Sequence, residues 1–272
     1  MEYSIGKMLS FTFMQRALIV GVPVALCAAL LGVSLVLKRY SMIGDGLSHV
    51  GFGALALAAA LNLAPLEVAI PIVIVSAFFL LRISQNSKIN GDGAIAIVSS
   101  SALAIGIVVT SITGGLNTDL YSYLFGSILA LSKQDVILSL ILCVVVLFIY
   151  VFFYNKIFSV TFDENFSLAT GTNAKAYNMV IALLTALTVV LGMQIMGTLL
   201  ISSLIIFPGL SAMRIFKTYR SVVISAGIQS VVCVVIGLIL SFYLETASGA
   251  TIVCVNLVCF IVFSIIGYIR RR

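Results

Sequence analysis

The chain of 272 residues is 62% hydrophobic and only 9% charged, with a mean hydropathy of +1.25. A soluble domain usually carries roughly a quarter charged residues, so the composition excludes a soluble protein. The net charge of +6 is scattered among short segments and forms no stripe that could follow a phosphate backbone, which excludes nucleic acid as the partner.

Apolar segments long enough to cross a bilayer, about 20 residues each, follow one another along the chain between charged or Gly/Asn-rich breaks. The predicted spans are 15–37, 45–63, 66–83, 94–113, 136–154, 177–194, 196–213, 222–243 and 250–268. Segment 116–132 is too short, and too polar at its start, to cross, so we predict a re-entrant or interfacial helix there. The predicted fold class is therefore an all-α polytopic membrane protein with eight or nine transmembrane helices, in a single domain over residues 1–272.

Positive residues fall mostly on one side of the predicted membrane. In the nine-span arrangement, 12 of the 15 Lys and Arg residues lie on that side, whereas Lys7, Arg16 and Lys133 lie opposite. Loops rich in Lys and Arg stay in the cytoplasm, so we expect a cytoplasmic C-terminus. The longest insertion on that side is 156–176, which is interpreted either as a plain connector or as a docking element for a cytosolic partner.

Asp45 and His49, the only histidine, lie four residues apart at the start of an apolar span. On a helix this spacing puts both side chains on one face with their Cβ atoms about 5–6 Å apart, so both can bind one cation. Imidazole with carboxylate suits zinc or manganese better than calcium or magnesium. Two ligands are fewer than either metal takes, which suits a weak transit site or a site completed by a second chain.

A structural role for the pair is the alternative. Asp45 would then cap the helix start, and His49 would bond a backbone carbonyl of a neighbouring helix. Glycines near the pair favour the functional interpretation, because they permit close helix packing and open the backbone to an ion path. They are Gly44, Gly46, Gly51 and Gly53.

Other polar residues within the apolar spans are weaker indications. Ser202, Ser203 and Pro208 indicate a broken or kinked helix. Such residues more often serve helix packing than line a pathway.

Catalytic and nucleotide-binding motifs are absent from the sequence. No GxxxxGK[ST] loop is present, so the chain does not bind ATP in the Walker manner, and neither HExxH nor GxSxG occurs. One alternative is an intramembrane serine hydrolase, since residues 246–249 faintly resemble the GxSG motif of rhomboid-type proteases, with Ser248 as nucleophile and His49 as base. Another is a secondary transporter driven by protons or sodium, with Asp45 as the carrier, although no inverted repeat is visible.

Five sequence blocks, in this order, resemble the membrane permease subunits of zinc/manganese-type ABC importers. They are LVLKRYSMIGDGLSHVGFGALALA (35–58), SYLFGSILALSKQD (122–135), FDENFSLATGTN (162–173), GTLLISSLIIFPGLSA (197–212) and SGATIV (248–253). The resemblance covers nearly the whole chain, and its first and last blocks are the most specific.

The resemblance implies a homodimer of permeases in the inner or cytoplasmic membrane of a bacterium. It also implies two ATPase subunits on the cytosolic side and an extracytoplasmic binding protein that delivers the metal. It assigns metal binding to Asp45 and His49, and ATPase coupling to Asp163, Glu164, Ala169 and Gly171. The leading prediction is a permease subunit that moves a divalent transition metal, zinc ahead of manganese or iron, without being an enzyme itself and without a tightly bound cofactor.

Overall fold

The computed structural model describes residues 8, 10–86, 91–113 and 133–271, and these residues form helices and turns without a strand. The helices are α1 (Thr12–Leu37), α2 (Met42–Ala60), α3 (Pro65–Asn86), α4 (Gly91–Ile112), α5 (Lys133–Phe152), α6 (Tyr154–Phe162), α7 (Glu164–Ala169), α8 (Ala174–Met196), α9 (Thr198–Ile215), α10 (Tyr219–Leu244) and α11 (Ser248–Arg271). Short connections join most of them, as expected of a membrane bundle.

Eight helices of the described chain, α1 to α4 and α8 to α11, are long and apolar enough to cross a membrane. Helices α5 and α6 pass the same test together, but the chain bends by 68° between them, so they add a ninth crossing only if the pair counts as one span. The predicted all-helical membrane fold with eight or nine crossings is confirmed. The helix predicted at 116–132 lies outside the described residues.

The centre of the bundle is formed by α1, α2 and α8. In each of these helices, 67% of the most apolar stretch is buried inside the protein, against 28% in α3, 22% in α4 and 17% in α11. Helix α1 packs against α9 and α10, and α2 packs against α3 and α4. The outer helices therefore present apolar side chains to their surroundings, and α2 is held within the protein.

The chain reverses direction between α8 and α9 at a single residue, Gly197. This glycine has φ 85° and ψ 161°, a conformation that side chains with a Cβ rarely adopt. Gly192 and Ile201 lie in contact on either side of the reversal, although a continuous helix would hold them about 13 Å apart along its axis. Helices α8 and α9 are therefore neighbours that run in opposite directions.

The sequence suggested a broken or kinked helix around Pro208; helix α9 continues through Pro208 to Ile215, so it is not broken there. A proline within a helix removes one backbone hydrogen bond, and neighbouring helices in a membrane protein hold the rest of the helix together. Helix α2 also begins earlier than predicted, at Met42 rather than residue 45. Asp45 consequently lies inside the helix and not at its boundary.

A tightly hydrogen-bonded turn of residues 38–41 joins α1 to α2. Arg39 adopts the left-handed conformation with φ 62°, and the Tyr40 N–H donates to the Leu35 carbonyl at 2.8 Å. The Tyr40 carbonyl in turn accepts from the Ile43 N–H at 3.0 Å, which lies in the first turn of α2. The end of α1 and the start of α2 are therefore held in a fixed relation by backbone bonds.

Candidate functional site

Asp45 and His49 lie on one face of α2, as their spacing predicts. The Nε2 atom of His49 is 3.7 Å from Oδ2 of Asp45, and their side chains are 25% and 38% exposed. This separation is too long for a hydrogen bond, so the two groups flank a gap. Ser41 occupies the N-cap position of the helix, which shows that Asp45 is not the cap.

Ser202 of α9 completes a group of three polar side chains. Its hydroxyl lies 3.1 Å from Oδ1 of Asp45 and also 3.1 Å from the Thr198 carbonyl. In the sequence, Ser202 indicated only a helix irregularity. A serine within an apolar span was the available signal, but its pairing with Asp45 depends on how α2 and α9 pack.

The Nδ1 atom of His49 is buried and has no hydrogen-bond partner. An unpaired buried polar atom costs about 1–3 kcal/mol, and a bound water or ion is one way in which such an atom is satisfied. Within the described residues, no third His, Cys, Asp or Glu joins Asp45 and His49 to form a metal-binding cluster. The three side chains thus form an incomplete, partly exposed polar site between α2 and α9.

Two glycines of α2 let α8 and α9 pack closely against one face of the helix. We call such a glycine-lined face a seam. A Cβ added at Gly44 would lie 2.7 Å from Cδ1 of Ile205, and one added at Gly51 would collide with the thioether of Met193. The two glycines are seven residues apart and therefore share a face of the helix. Close packing on this face brings α9, and with it the serine, to the Asp45 side chain.

A second seam faces α4. A Cβ at Gly46 would lie 2.7 Å from Cγ2 of Ile95, and one at Gly53 would lie 2.7 Å from the Ala102 carbonyl oxygen. At about 100° per residue, this seam is about 200° from the first and so occupies nearly the opposite face of α2. Asp45 lies between the two seams. The glycines thus serve close packing on both flanks of the face that carries the polar site.

The predicted coupling residues lie apart from this site, on α7 and the turn that follows it. Asp163 caps α7, because its Oδ1 accepts from the Phe166 N–H at 2.9 Å. Ala169 is the exposed last residue of α7, and Gly171 follows with φ 78°. The Thr172 N–H donates to the Ser167 carbonyl at 2.9 Å, so a left-handed turn ends the helix.

Glu164, the first residue of α7, joins three parts of the fold. Its Oε2 is 3.2 Å from Nζ of Lys38 at the end of α1, and its Oε1 accepts from Nδ2 of Asn178 in α8 at 3.1 Å. Lys38 also donates to the Val160 carbonyl at 2.9 Å. Burial lowers the pKa of Lys38, and the Glu164 carboxylate opposes that shift.

Large apolar side chains are exposed along α6 and α7. We call this the α6–α7 surface; it consists of Phe158, Phe162, Phe166 and Leu168, with exposed fractions of 39%, 64%, 62% and 50%. The Phe158 ring packs against Phe162 and against Tyr219 of α10, with ring centres 5.2 and 4.9 Å apart. The surface is therefore attached to the bundle while presenting rings outward.

The structure gives no support to pairing His49 with Ser248. Ser248 begins α11, and α11 packs chiefly against α9 and α10. The side chain that faces His49 at close range is Asp45.

Comparisons with known proteins identify the family. Residues 10–267 match the ABC 3 transport family. The chain is 31% identical over 251 residues to the high-affinity zinc uptake system membrane protein ZnuB of Haemophilus influenzae, covering 92% of this chain and 96% of that protein. It is 32% identical over 269 residues to a probable iron transport system membrane protein of the same organism, covering 97% of each.

Among solved structures, PsaBC from Streptococcus pneumoniae in complex with Fab matches this fold with a TM-score of 0.85 and 30% identity, covering 95% of this chain and 93% of that one. The family match extends from just before α1 into the last turns of α11, so it includes both the polar site and the α6–α7 surface. The resemblance predicted from the sequence blocks is thereby confirmed. The chain belongs to the ABC 3 transport family and is a membrane-spanning permease subunit of an ABC transporter.

Proposed function

We propose that this chain moves a divalent transition metal ion into a bacterial cell, with zinc ahead of manganese or iron, while a separate ATPase subunit supplies the energy. The observation that carries the proposal is the meeting of Asp45, His49 and Ser202 within the bundle of a transport permease. Two relatives are named for zinc uptake and iron transport, which supports a metal as the cargo. The ion is the transported substrate, and no resident cofactor is needed.

The gap between Asp45 and His49 suits a small tetrahedral ion. Zinc binds nitrogen and oxygen at about 2.0–2.2 Å, so two tetrahedral ligand atoms lie about 3.4 Å apart. The observed separation of 3.7 Å between Nε2 and Oδ2 is only slightly wider. Small rotations of the two side chains would bring these atoms to the spacing of either tetrahedral zinc or octahedral manganese, and an imidazole with a carboxylate suits both metals.

The Ser202 hydroxyl can change its role when an ion arrives. Its single hydrogen has two acceptors at equal distance, the Asp45 carboxylate and the Thr198 carbonyl. When the carboxylate binds a cation, the hydrogen can turn to the carbonyl, and the hydroxyl oxygen then offers its lone pairs to the ion. In this way α9 contributes a third, neutral ligand.

Three ligands from one chain leave the site incomplete, because zinc usually takes four and manganese about six. A second copy of the chain, related by two-fold symmetry, would supply the remainder. Incomplete coordination by each chain also keeps binding weak, and a transported ion must be able to leave.

The α6–α7 surface is where we place the ATPase. The sequence has no phosphate-binding loop of its own, so the energy of ATP must enter through contact with another chain. Exposed aromatic rings are typical of the centre of protein interfaces. Asp163, Glu164, Ala169 and Gly171 shape this segment by capping, bonding and ending α7.

The orientation follows from the same assignment. A cytosolic ATPase requires the α6–α7 surface on the cytoplasmic side, and the excess of Lys and Arg supports that side and a cytoplasmic C-terminus. We place the chain, as a single permease domain, in the inner or cytoplasmic membrane of a bacterium. An extracytoplasmic metal-binding protein would deliver the ion from the other side.

Metal accumulation in cells tests the proposed function. Cells lacking their own importer receive this chain with its ATPase and binding protein, and cellular zinc, manganese and iron are measured by mass spectrometry. We expect Asp45→Ala and His49→Ala each to reduce accumulation of the cargo to the background of cells without the permease, because each removes one of very few ligands. Glu67→Ala, which removes an exposed carboxylate at the start of α3, is the matched control and should behave like the unaltered chain.

Membrane content of each variant is checked by immunoblotting so that a loss of protein is not mistaken for a loss of transport. Normal accumulation of all three metals by His49→Ala would overturn the assignment of the site. No accumulation of any of them by the unaltered chain would overturn the metal as cargo.

A further inference from the structure

Lys38 is a charged side chain held almost entirely inside the protein, with 7% of it exposed. Its ammonium group contacts two acceptors outside its own helix, the Val160 carbonyl near the end of α6 and the Glu164 carboxylate at the start of α7. The last carbonyls of a helix lack partners within the helix and carry negative partial charge. Lys38 thus binds the junction of α6 and α7 through both groups.

Glu164 is held equally firmly from the other side. While one of its oxygens faces Lys38, the other accepts from the side chain of Asn178 in α8. Lys38 is almost fully buried whereas Glu164 is 39% exposed, so removing the carboxylate leaves a buried ammonium group with one acceptor fewer, which costs more than the loss of a fully exposed pair. The contact therefore ties the start of α7 to the end of α1.

From Lys38 the chain leads directly to the polar site. The turn of residues 38–41 is closed by the bond from the Tyr40 N–H to the Leu35 carbonyl, and α2 begins at Met42, three residues before Asp45. A helix transmits displacement along its axis with little loss because each residue is bonded to the next turn. Movement of Lys38 must accordingly move the start of α2.

We propose that Lys38 is the positioning residue that transmits movement of the α6–α7 segment to α2, and so to Asp45 and His49. The inference rests on the proposed function, since it takes the ATPase to dock on the α6–α7 surface. Closure of the ATPase displaces α7, Glu164 draws Lys38 with it, and the turn of residues 38–41 shifts the first turn of α2 relative to α9. The contact between Asp45 and Ser202 then changes in step with the nucleotide.

Two reporter cysteines follow the two ends of this connection. Leu168→Cys lies in the α6–α7 surface and reports on how ATP changes the cover that the ATPase gives to α7, and Met42→Cys reports on the first residue of α2. In the chain alone, the native residues are 50% and 44% exposed. The assembled transporter in liposomes is treated with a water-soluble maleimide, with and without ATP. Labelling at each position is quantified by peptide mass spectrometry, so that the five native cysteines do not interfere.

The decisive variant is Lys38→Met, which keeps most of the side-chain length and removes the charge. We expect ATP still to change the labelling rate at Leu168→Cys, whereas its effect at Met42→Cys falls at least fivefold. Arg39→Met is the matched control, because it removes a charge from the exposed neighbour in the same turn, and both reporters should keep their response. Lys38→Arg should restore the response at Met42→Cys.

Glu164→Gln removes the charge on the other side of the same ion pair and serves as the test if Lys38→Met does not assemble. It should also reduce the effect of ATP on the labelling rate at Met42→Cys. An unchanged response at Met42→Cys in either variant, with Leu168→Cys responding, overturns the proposal while leaving ATPase docking intact. Absence of any ATP effect at Leu168→Cys in the otherwise unaltered chain overturns the docking itself, and the positioning role with it. Neither readout depends on which metal is transported.

Discussion

Ser202 shows how a single hydroxyl can connect two helices. Its one hydrogen is shared between an acceptor on α2, the Asp45 carboxylate, and an acceptor on its own helix, the Thr198 carbonyl. Its neighbour Ser203 is buried, whereas Ser202 is only half-buried, and Ser203 donates within α9 to the Leu200 carbonyl at 2.8 Å. Of these two adjacent serines, it is therefore the more exposed one that contacts the polar site.

This difference gives a prediction. Ser202→Ala removes both the hydrogen bond to a carboxylate and the proposed oxygen ligand, and a hydrogen bond to a charged group contributes about 1.5–3 kcal/mol. We expect the KM for metal uptake to rise about tenfold or more in Ser202→Ala, and to stay near that of the unaltered chain in Ser203→Ala. Initial rates of uptake into liposomes over a range of metal concentrations measure both. Equal KM values for the two variants would argue against a role for Ser202 at the site.

Sequence reasoning predicted the contacts that depend on local spacing and missed those that depend on packing. The approach of Asp45 and His49 follows from helical geometry over four residues, and in the structure their side chains lie 3.7 Å apart. Ser202 is 157 residues from Asp45, and Glu164 is 126 residues from Lys38. No periodicity relates residues so distant, because their meeting is decided by which faces the intervening helices bury.

At the scale of elements, α7 depends on its two ends. It has only six residues, too few to be stable by themselves, and is fixed by the Asp163 cap before it and the left-handed turn at Gly171 after it. A Cβ added at Gly171 would meet nothing within 4 Å. Any cost of substituting this glycine therefore comes from backbone conformation and not from collision.

Gly171→Ala should accordingly loosen α7 without disturbing the bundle. A left-handed conformation costs a residue with a Cβ about 1–2 kcal/mol, so hydrogen exchange of the α7 amide groups should accelerate about five- to thirtyfold. Gly171→Asn is the matched control, since asparagine tolerates this conformation better, and should show a clearly smaller acceleration. Hydrogen-exchange mass spectrometry of the peptide around 160–173 gives both values. Equal acceleration in the two variants would show that the backbone angle is not what the position requires.

Element positions were largely predictable, whereas connections between elements were not. Long apolar runs identify the spans because the bilayer demands them. The sequence placed span boundaries close to both breaks, at 154 and between 194 and 196, but it predicted neither the sharp reversal at Gly197 nor the 68° bend between α5 and α6. Pro208 does not break α9, because packing preserves a helix that a proline alone would weaken.

At the scale of the whole molecule, apolar side chains cover the outside of the outer helices. Val75 of α3, Ile105 of α4, Phe148 of α5 and Val258 of α11 are all at least 61% exposed. Lipid can cover such a surface, and so can a second copy of the chain. The incomplete ligand set of the polar site favours a second copy for part of it.

We therefore expect two permease chains in the assembled transporter. Native mass spectrometry of the purified complex should show two chains of 29.0 kDa together with two ATPase subunits, because closed two-fold symmetry is the commonest way to pair identical subunits. Dissociation in the gas phase checks the count by releasing each subunit type separately. A complex with one permease chain for two ATPases would contradict the expectation.

The two glycine seams restrict the ways in which α2 can move. Ile95 and Ala102 lie against one flank, and Ile205 and Met193 against the nearly opposite flank, so a turn of the helix about its own axis would drive bulkier residues into both neighbours. Rotation about the helix axis is therefore a motion that the contacts at both flanks oppose. When the start of α2 shifts relative to α9, Asp45 and His49 therefore keep facing in the same direction.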